Sequence, residues 1–317
     1  MTKTLQILLA FFIAAVMLPA QAQHKSNCRD VSMPCASTST ATQERRREVV
    51  RQLYRGLIYP MPLAILGNSA SVEDIFQRDH VRGRVTPLGT YAGFESAIEY
   101  FYGLSGAPGG RVENVTIRSL VASNDKVAVT VHILLCMLPG GGCDTSQPVT
   151  AASTTLVQTG FFQFNGEDRI STFDLALQNL GAALDPVSEA QRQQTIQQTC
   201  GLLTLAPQPS GTTGTCPATF SEPKQFPPGF PLSGAPGPQG AFANCVALMR
   251  SIPYGSWNRA NSNTFTCRQL HSLLTILRPE HHCPHTSASG GQVCVDVPYS
   301  SYFTEFPETA SDPHRHH

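Results

Sequence analysis

Ten cysteines constrain the fold of this 317-residue chain more than any other feature of its sequence. An even number of cysteines predicts disulfides in an oxidising compartment, whereas in a reducing one the same residues would act as thiolate ligands or nucleophiles. The first question is therefore which compartment the chain enters. The cysteines are Cys28, Cys35, Cys136, Cys143, Cys200, Cys216, Cys245, Cys267, Cys283 and Cys294.

Residues 1–22 have the pattern of a secretory signal peptide. Lys3 precedes an apolar run at 5–18, and the small residues Ala20 and Ala22 frame a cleavage position. The apolar run is shorter than the ~20 residues that a membrane-spanning helix needs. We therefore predict a secreted, extracellular protein without a membrane partner, in which all ten cysteines are oxidised.

Charge and motif content exclude several classes of function. Lysine and arginine total 22, aspartate and glutamate total 22, and charged residues make up only 14% of the sequence. Such a chain lacks the basic surface that attracts nucleic acids. It also lacks the glycine motifs that bind phosphates or dinucleotides and the paired histidines of the zinc metalloproteases. We predict no nucleic-acid partner and no cofactor.

Composition and periodicity divide the mature chain into five segments. Residues 23–42 are a Ser/Thr-rich tether, and 43–184 form a domain of helices followed by strands. Residues 185–240 hold a helix and then a linker too rich in proline and glycine for a helix or a central strand. Residues 241–306 form a C-terminal domain that contains cysteine and histidine, and 307–317 are a disordered tail.

The hydrophobic period changes from helical to strand-like within 43–184. Apolar residues first recur every three or four positions and then at alternate positions in runs rich in β-branched and aromatic residues. This order predicts an α+β fold in which an antiparallel sheet curls around a helix, with a turn at 165–168. The predicted helices lie near 43–59, 71–76 and 91–104, and the predicted strands at 114–122, 126–138, 154–164 and 169–177.

Two stretches carry a resemblance to a known fold. "DHVRGRVTPLGTYAGFESAIEYF" and "GFFQFNGEDRISTFDLALQNLG" resemble the entry and the closing hairpin of the NTF2-like cone, and "DLALQNLG" is similar to the tail of SnoaL-like polyketide cyclases. The resemblance covers about 43–184 and implies a cone around an apolar pocket. The first hypothesis is that the cone binds a small apolar molecule without catalysis. The ligand-binding candidates are Tyr54, Phe101, Phe162 and Phe164.

The resemblance to SnoaL-like cyclases also implies an enzymatic alternative. In that family an acidic residue near the position of Asp174 acts as general acid and base, and His132 or His80 would be its partner here. Such an enzyme would be a cyclase, isomerase or dehydratase. The ketosteroid isomerase mechanism is not expected, because Gly160 and Arg84 occupy the positions of its oxyanion-hole acid and its base.

The C-terminal segment suggests a third function. "CRQLHSLLTILRPEHHCPH" at 267–285 contains four histidines, and imidazole is a ligand for both zinc and copper. Disulfides would remove the cysteines from such a site, so the sequence predicts a small disulfide-stapled, Pro/Gly-rich helical domain. Extracellular metal binding by its histidines and a solvated loop are both compatible with the pattern. The candidate ligands are His271, His281, His282 and His285.

Overall fold

The computed structural model of the chain describes residues 39–106, 111–136, 153–206, 213–233, 235, 237–298 and 300, which lie in one compact unit. The predicted signal peptide, most of the predicted tether and the predicted tail lie outside these residues, as do Cys28, Cys35 and Cys143. Among the described helices, none is both long enough and apolar enough to cross a membrane.

A six-stranded sheet forms the wall of the first half of the unit. Its order is β2-β1-β6-β5-β4-β3, and neighbours are antiparallel except β1 and β6, which are parallel. The four predicted strands are present, and the two short strands β1 and β2 were not predicted. The strands are β1 (Arg82–Thr86), β2 (Gly89–Ala92), β3 (Arg111–Ser123), β4 (Lys126–Cys136), β5 (Ser153–Phe164) and β6 (Ile170–Leu177).

Helices cover the inner face of this sheet. They are α1 (Thr40–Arg55), α2 (Met61–Gly67) and α3 (Phe94–Ile98), and α3 continues into a π-helical turn at Glu99–Gly103. Leu53 of α1 and Phe101 of the turn share a core with Phe162 of β5 and Phe173 of β6, each at most 3% exposed. This arrangement confirms the α+β class and the NTF2-like cone.

The second half of the unit is helical and has its own core. Three disulfides run through it: Cys200–Cys245, Cys216–Cys283 and Cys267–Cys294. They confirm the predicted disulfide-stapled helical domain, and Cys136 is also disulfide-bonded. Helix α4 (Leu180–Leu184) follows the sheet and packs into the cone's core through Leu180. The helices of the second half are α5 (Glu189–Thr204), α6 (Pro217–Ser221), α7 (Gly237–Ser251), α8 (Phe265–Leu274) and α9 (Pro279–Thr286).

Helix α5 belongs to this second core, although the sequence grouped it with the linker. Ile196, Cys200 and Leu203 of α5 are at most 3% exposed and pack with residues of α6, α7 and α8. The bond between Cys200 and Cys245 ties α5 to α7. The prediction that the Pro/Gly-rich stretch after α5 is free of helix was wrong, because α6 (Pro217–Ser221) lies within it and packs into the same core through Phe220.

The two halves share part of the cone's core. Trp257, the one tryptophan of the sequence, is 6% exposed and packs into the cone together with Leu270 of α8. Its backbone N–H donates to Asp185 over 2.7 Å, and Asn258 accepts a hydrogen bond from the backbone N–H of Gly181 over 2.9 Å. The helical domain is therefore packed and hydrogen-bonded onto the cone.

Candidate functional site

A cavity of about 690 Å³ lies where the cone meets the helical domain. The cone contributes Leu57, which follows α1, together with residues of the π-helical turn, strands β3 to β6 and α4, while α5, α8 and Trp257 provide much of the remaining wall. Aliphatic and aromatic side chains dominate the lining, and they include Leu57, Leu88, Leu156, Leu177, Trp257 and Leu270. Such a lining favours an apolar ligand, because binding removes apolar surface from water.

A short hydrogen-bonded chain brings polarity to the cone side of the cavity. The Tyr54 hydroxyl donates to Gln158 Oε1 over 2.6 Å, and Gln158 Nε2 donates to the Tyr100 hydroxyl oxygen over 2.8 Å. In this amide orientation the Tyr100 hydroxyl proton has no acceptor among the described residues, so the Tyr100 hydroxyl can donate to a ligand. Both Tyr100 and Gln158 line the cavity.

The two tyrosines of this chain are neutral phenols at physiological pH. Burial raises the pKa of Tyr54 well above its ordinary value, and the nearby Tyr100 raises it further. Burial also raises the pKa of Tyr100, although the hydrogen bond from Gln158 offsets part of that rise. A phenol whose pKa is raised is a poor general base, so Tyr100 is suited to hydrogen bonding rather than proton abstraction.

Gln269 supplies a second polar contact from the opposite wall. It lies on α8 and lines the cavity, and its buried Oε1 atom has no hydrogen-bond partner within the described part of the chain. Leaving a buried acceptor unpaired costs about 1 to 3 kcal/mol.

The four predicted ligand-binding residues differ in their access to the cavity. Phe101 lines it, and Tyr54 reaches it through Gln158. Phe162 and Phe164 are 0% and 4% exposed and belong to the core beneath the cavity. Phe162 supports Tyr54 through an edge-to-face contact with 6.1 Å between ring centroids.

The three predicted catalytic residues do not face the cavity. Asp174 lies on the outer face of β6, where it accepts hydrogen bonds from Arg84 Nε over 3.0 Å and Nη2 over 2.5 Å. His132 is on the outer face of β4 beside Arg118, and His80 is exposed. Alternation places Phe173 and Leu175 inward, so Asp174 must point outward. The general acid/base role of Asp174 therefore requires correction: this carboxylate is positioned to pair with Arg84.

Asp174→Asn is expected to lower the free energy of unfolding by about 1 kcal/mol and to leave ligand binding unchanged, because it removes only the charged pair with Arg84. The double variant Asp174→Asn, Arg84→Met should cost less than the sum of the two single changes, since both remove the same pair. Chemical denaturation measures these effects. Loss of ligand binding in Asp174→Asn with unchanged stability would contradict this role.

The predicted metal ligands converge at the junction of the two halves. His271 of α8 has its Nδ1 atom 3.2 Å from Nδ1 of His282 and 3.2 Å from Nδ1 of His285, both on α9. His281 is exposed and stands beside this trio, with its ring centroid 4.9 Å from that of His282. Nearby Cys267 and Cys294 form a disulfide and offer no thiolate.

Burial and mutual repulsion lower the pKa values of His271, His281 and His285. Burial lowers the pKa of His271 well below its ordinary value, and the neighbouring histidines lower it further. The same causes lower the pKa of His285 to about 4 and also lower that of His281. Neutral imidazoles are the protonation state that binds metal ions.

Residues 240–297 match the model of the BfoA family C-terminal domain. The chain is 26% identical over 232 residues to the Aurasperone B biosynthesis cluster protein A of Aspergillus niger, covering 70% of this chain and 68% of that protein. It is 39% identical over 49 residues to the Bifonsecin B biosynthesis cluster protein A of Aspergillus brasiliensis, which is 16% of each chain.

Two solved structures similar to this chain each cover less than half of it. A protein of Jannaschia sp. CCS1 assigned to the SnoaL-like polyketide cyclases is 13% identical over 47% of this chain and 99% of that one, with a TM-score of 0.34. A Catenulispora acidiphila protein with a ketosteroid isomerase-like fold is 16% identical over 40% of this chain and 83% of that one, with a TM-score of 0.30.

Sequence reasoning missed several residues of the site. Gln158 lies on the same inward face of β5 as Leu156 and Phe162. A polar residue among these apolar ones could have indicated a polar group in the pocket. Tyr100 lies in a run of aromatic residues that also read as core. Gln269 and Trp257 belong to the helical domain, and no local pattern connects them to the cone.

Proposed function

We propose that the protein binds one small, mostly apolar molecule in the composite cavity and holds it without chemical conversion. The observation that carries this proposal is the lining of the cavity, in which aliphatic and aromatic residues outnumber the polar ones and every polar one is uncharged. The polar residues include Gln194, Thr195, Gln198 and Thr199 of α5. A volume of about 690 Å³ also falls within the usual size of small-molecule sites, roughly 300 to 1,000 Å³.

The polar groups define the kind of ligand that fits. Tyr100 offers a donor on the cone side, and Gln269 Oε1, which is buried, would offer an acceptor on the helical side once its side chain turns toward the cavity. A flat or rounded apolar skeleton with one carbonyl and one hydroxyl would satisfy both groups and bury its remaining surface against leucine, phenylalanine and tryptophan. A charged ligand does not fit, because no charged side chain of the described residues lines the cavity to compensate its desolvation.

Non-catalytic binding is supported by the same lining. The described wall contains no aspartate, glutamate, histidine, lysine, arginine or cysteine. Proton transfer and nucleophilic catalysis ordinarily use those side chains. The relatives named for biosynthesis clusters agree with a ligand that is made by such a cluster. The protein would then bind or carry that product.

We also propose that the protein works outside the reducing interior of the cell. Seven of its cysteines are disulfide-bonded in the described residues, and the chain begins with the pattern of a signal peptide. Export of the chain would place the ligand cavity in an oxidising compartment.

Filling the cavity tests the binding proposal. Leu177→Trp puts an indole into the cavity, and the affinity for an uncharged apolar fluorescent dye such as N-phenyl-1-naphthylamine should fall roughly tenfold or more, which corresponds to about 1.4 kcal/mol. Fluorescence titration measures the affinity. Leu63→Trp is the matched control, because Leu63 is 48% exposed on the surface and its replacement should leave binding unchanged. Equal binding by both variants would place the dye elsewhere.

A further inference from the structure

Three imidazoles from two helices converge on one point in the helical domain. His282 and His285 are three residues apart on α9 and therefore share a face, and His271 of α8 lies opposite them. One ring nitrogen of each can be chosen so that all three lie within 4.8 Å of one another. His282 and His285 are 3% and 8% exposed, so the cluster is shielded from solvent.

The spacing of these nitrogens matches that of ligands around one ion. The Nδ1 atom of His271 lies 3.2 Å from Nδ1 of His282 and 3.2 Å from Nδ1 of His285. In a tetrahedral zinc site with Zn–N bonds of about 2.0 to 2.1 Å, neighbouring ligand nitrogens are roughly 3.3 Å apart. The side chains are thus already placed at the separation that coordination requires.

Hydrogen bonding alone does not satisfy this cluster. The Nδ1 atom of a neutral imidazole carries either one proton or one lone pair in the ring plane. His271 Nδ1 faces two other Nδ1 atoms at the same distance, so it can make a hydrogen bond with only one of them. A cation at the centre would engage a lone pair from each ring at once.

A carboxylate behind the cluster completes the pattern of a metal site. Glu99, from the π-helical turn of the cone, lies with its Oε1 atom 3.3 Å from Nε2 of His282 and is held by Arg278. A carboxylate that accepts from the distal N–H of a ligating histidine fixes its tautomer and orientation. Here that tautomer leaves the lone pair on Nδ1 of His282, toward the other two histidines.

We propose that His271, His282 and His285 bind one divalent ion of the zinc or copper type through their Nδ1 atoms, with Glu99 as the positioning residue for His282. The nitrogen-only donor set suits these two metals and does not suit magnesium or calcium, which prefer oxygen. The proposal does not depend on whether the cavity binds a ligand.

The proposed ion would fasten the helical domain to the cone. Tyr100, Leu270 and Ser272 line the cavity. Glu99 directly precedes Tyr100 in the chain, and His271 lies between Leu270 and Ser272. Metal binding would therefore hold the cone wall of the cavity and the wall formed by α8 in a fixed position relative to each other. This makes the ion a structural element of the junction.

Metal analysis of the full mature chain tests this proposal. The tail histidines His314, His316 and His317 are first replaced by alanine, because they could bind metal on their own. After stripping with a chelator, the protein is loaded with Zn²⁺ or Cu²⁺ and dialysed. We expect one equivalent of one of these ions per chain by inductively coupled plasma mass spectrometry, and no uptake of either would overturn the proposal.

Variants locate the ion. His271→Ala should abolish the retained equivalent, whereas His281→Ala and His132→Ala should keep it, and Glu99→Gln should weaken affinity about 10- to 100-fold. X-ray absorption of the loaded parent protein needs no folded variant and should show nitrogen ligands at about 2.0 to 2.1 Å without sulfur. Sulfur ligation, or an ion retained in a folded His271→Ala chain, would contradict the assignment.

Discussion

Replacing Cys216 and Cys283 together by serine should lower the free energy of unfolding by about 4 kcal/mol. The disulfide joins positions 67 residues apart. Closing a loop of that length lowers the conformational entropy of the unfolded chain, which is worth about 4 kcal/mol in the free energy of unfolding. The bond also anchors α9, because Cys283 lies in that helix while Cys216 immediately precedes α6. Denaturation by urea under non-reducing conditions measures the loss.

The matched control is the shorter loop. Cys267 and Cys294 are 27 residues apart, so their double serine variant should lose roughly 0.8 kcal/mol less than the first pair on the same entropy argument. A loss below about 1 kcal/mol for the Cys216–Cys283 pair would mean that packing alone holds the helical domain together. The disulfides would then not be needed for its fold.

Gly160→Ala should destabilise the cone by about 3 kcal/mol or more. Gly160 has a φ of +148°, which L-residues rarely adopt, and a Cβ atom there would lie 2.1 Å from the backbone oxygen of Asp174 on β6. That atom belongs to the paired strand and cannot move aside without breaking the β5–β6 register. Thermal or chemical denaturation measures the effect.

Gly166→Ala is the control for that substitution. Gly166 lies in the turn between the same two strands, and a Cβ atom there would meet open space. Its replacement should change stability by no more than about 0.5 kcal/mol. Similar stabilities for the two alanine variants would show that β5 and β6 can separate locally, which contradicts the close approach at Gly160.

The cone could be predicted from the sequence because its signals are local. Alternating residues mark β3 to β6, and spacings of three and four mark α1, so each element is legible in its own segment. The short strands β1 and β2 were not predicted, because stretches of five and four residues are too short to show a hydrophobic period. Helix α9 was not predicted, because Pro279 and Pro284 both lie in it and proline argues against a helix interior.

The site was harder to predict, because it depends on contacts between distant segments. Arg278 pairs with Glu99 across 179 positions, and Trp257 enters a core built by another part of the chain. Alternation along β6 correctly placed Asp174 and Phe173 on opposite faces of the sheet, but it could not say which face was the inner one. Only the packed structure shows that Arg84 partners Asp174 and that the cavity wall comes from both halves.

Native mass spectrometry of the protein purified from the organism that makes it tests the binding account most directly. We predict one noncovalent apolar adduct per chain in the wild-type protein and none in Leu177→Trp. The extracted molecule should rebind, and its mass should stay unchanged after incubation with the protein. A wild-type protein without any adduct, or one that converts the extracted molecule to a product, would contradict non-catalytic binding in the cavity.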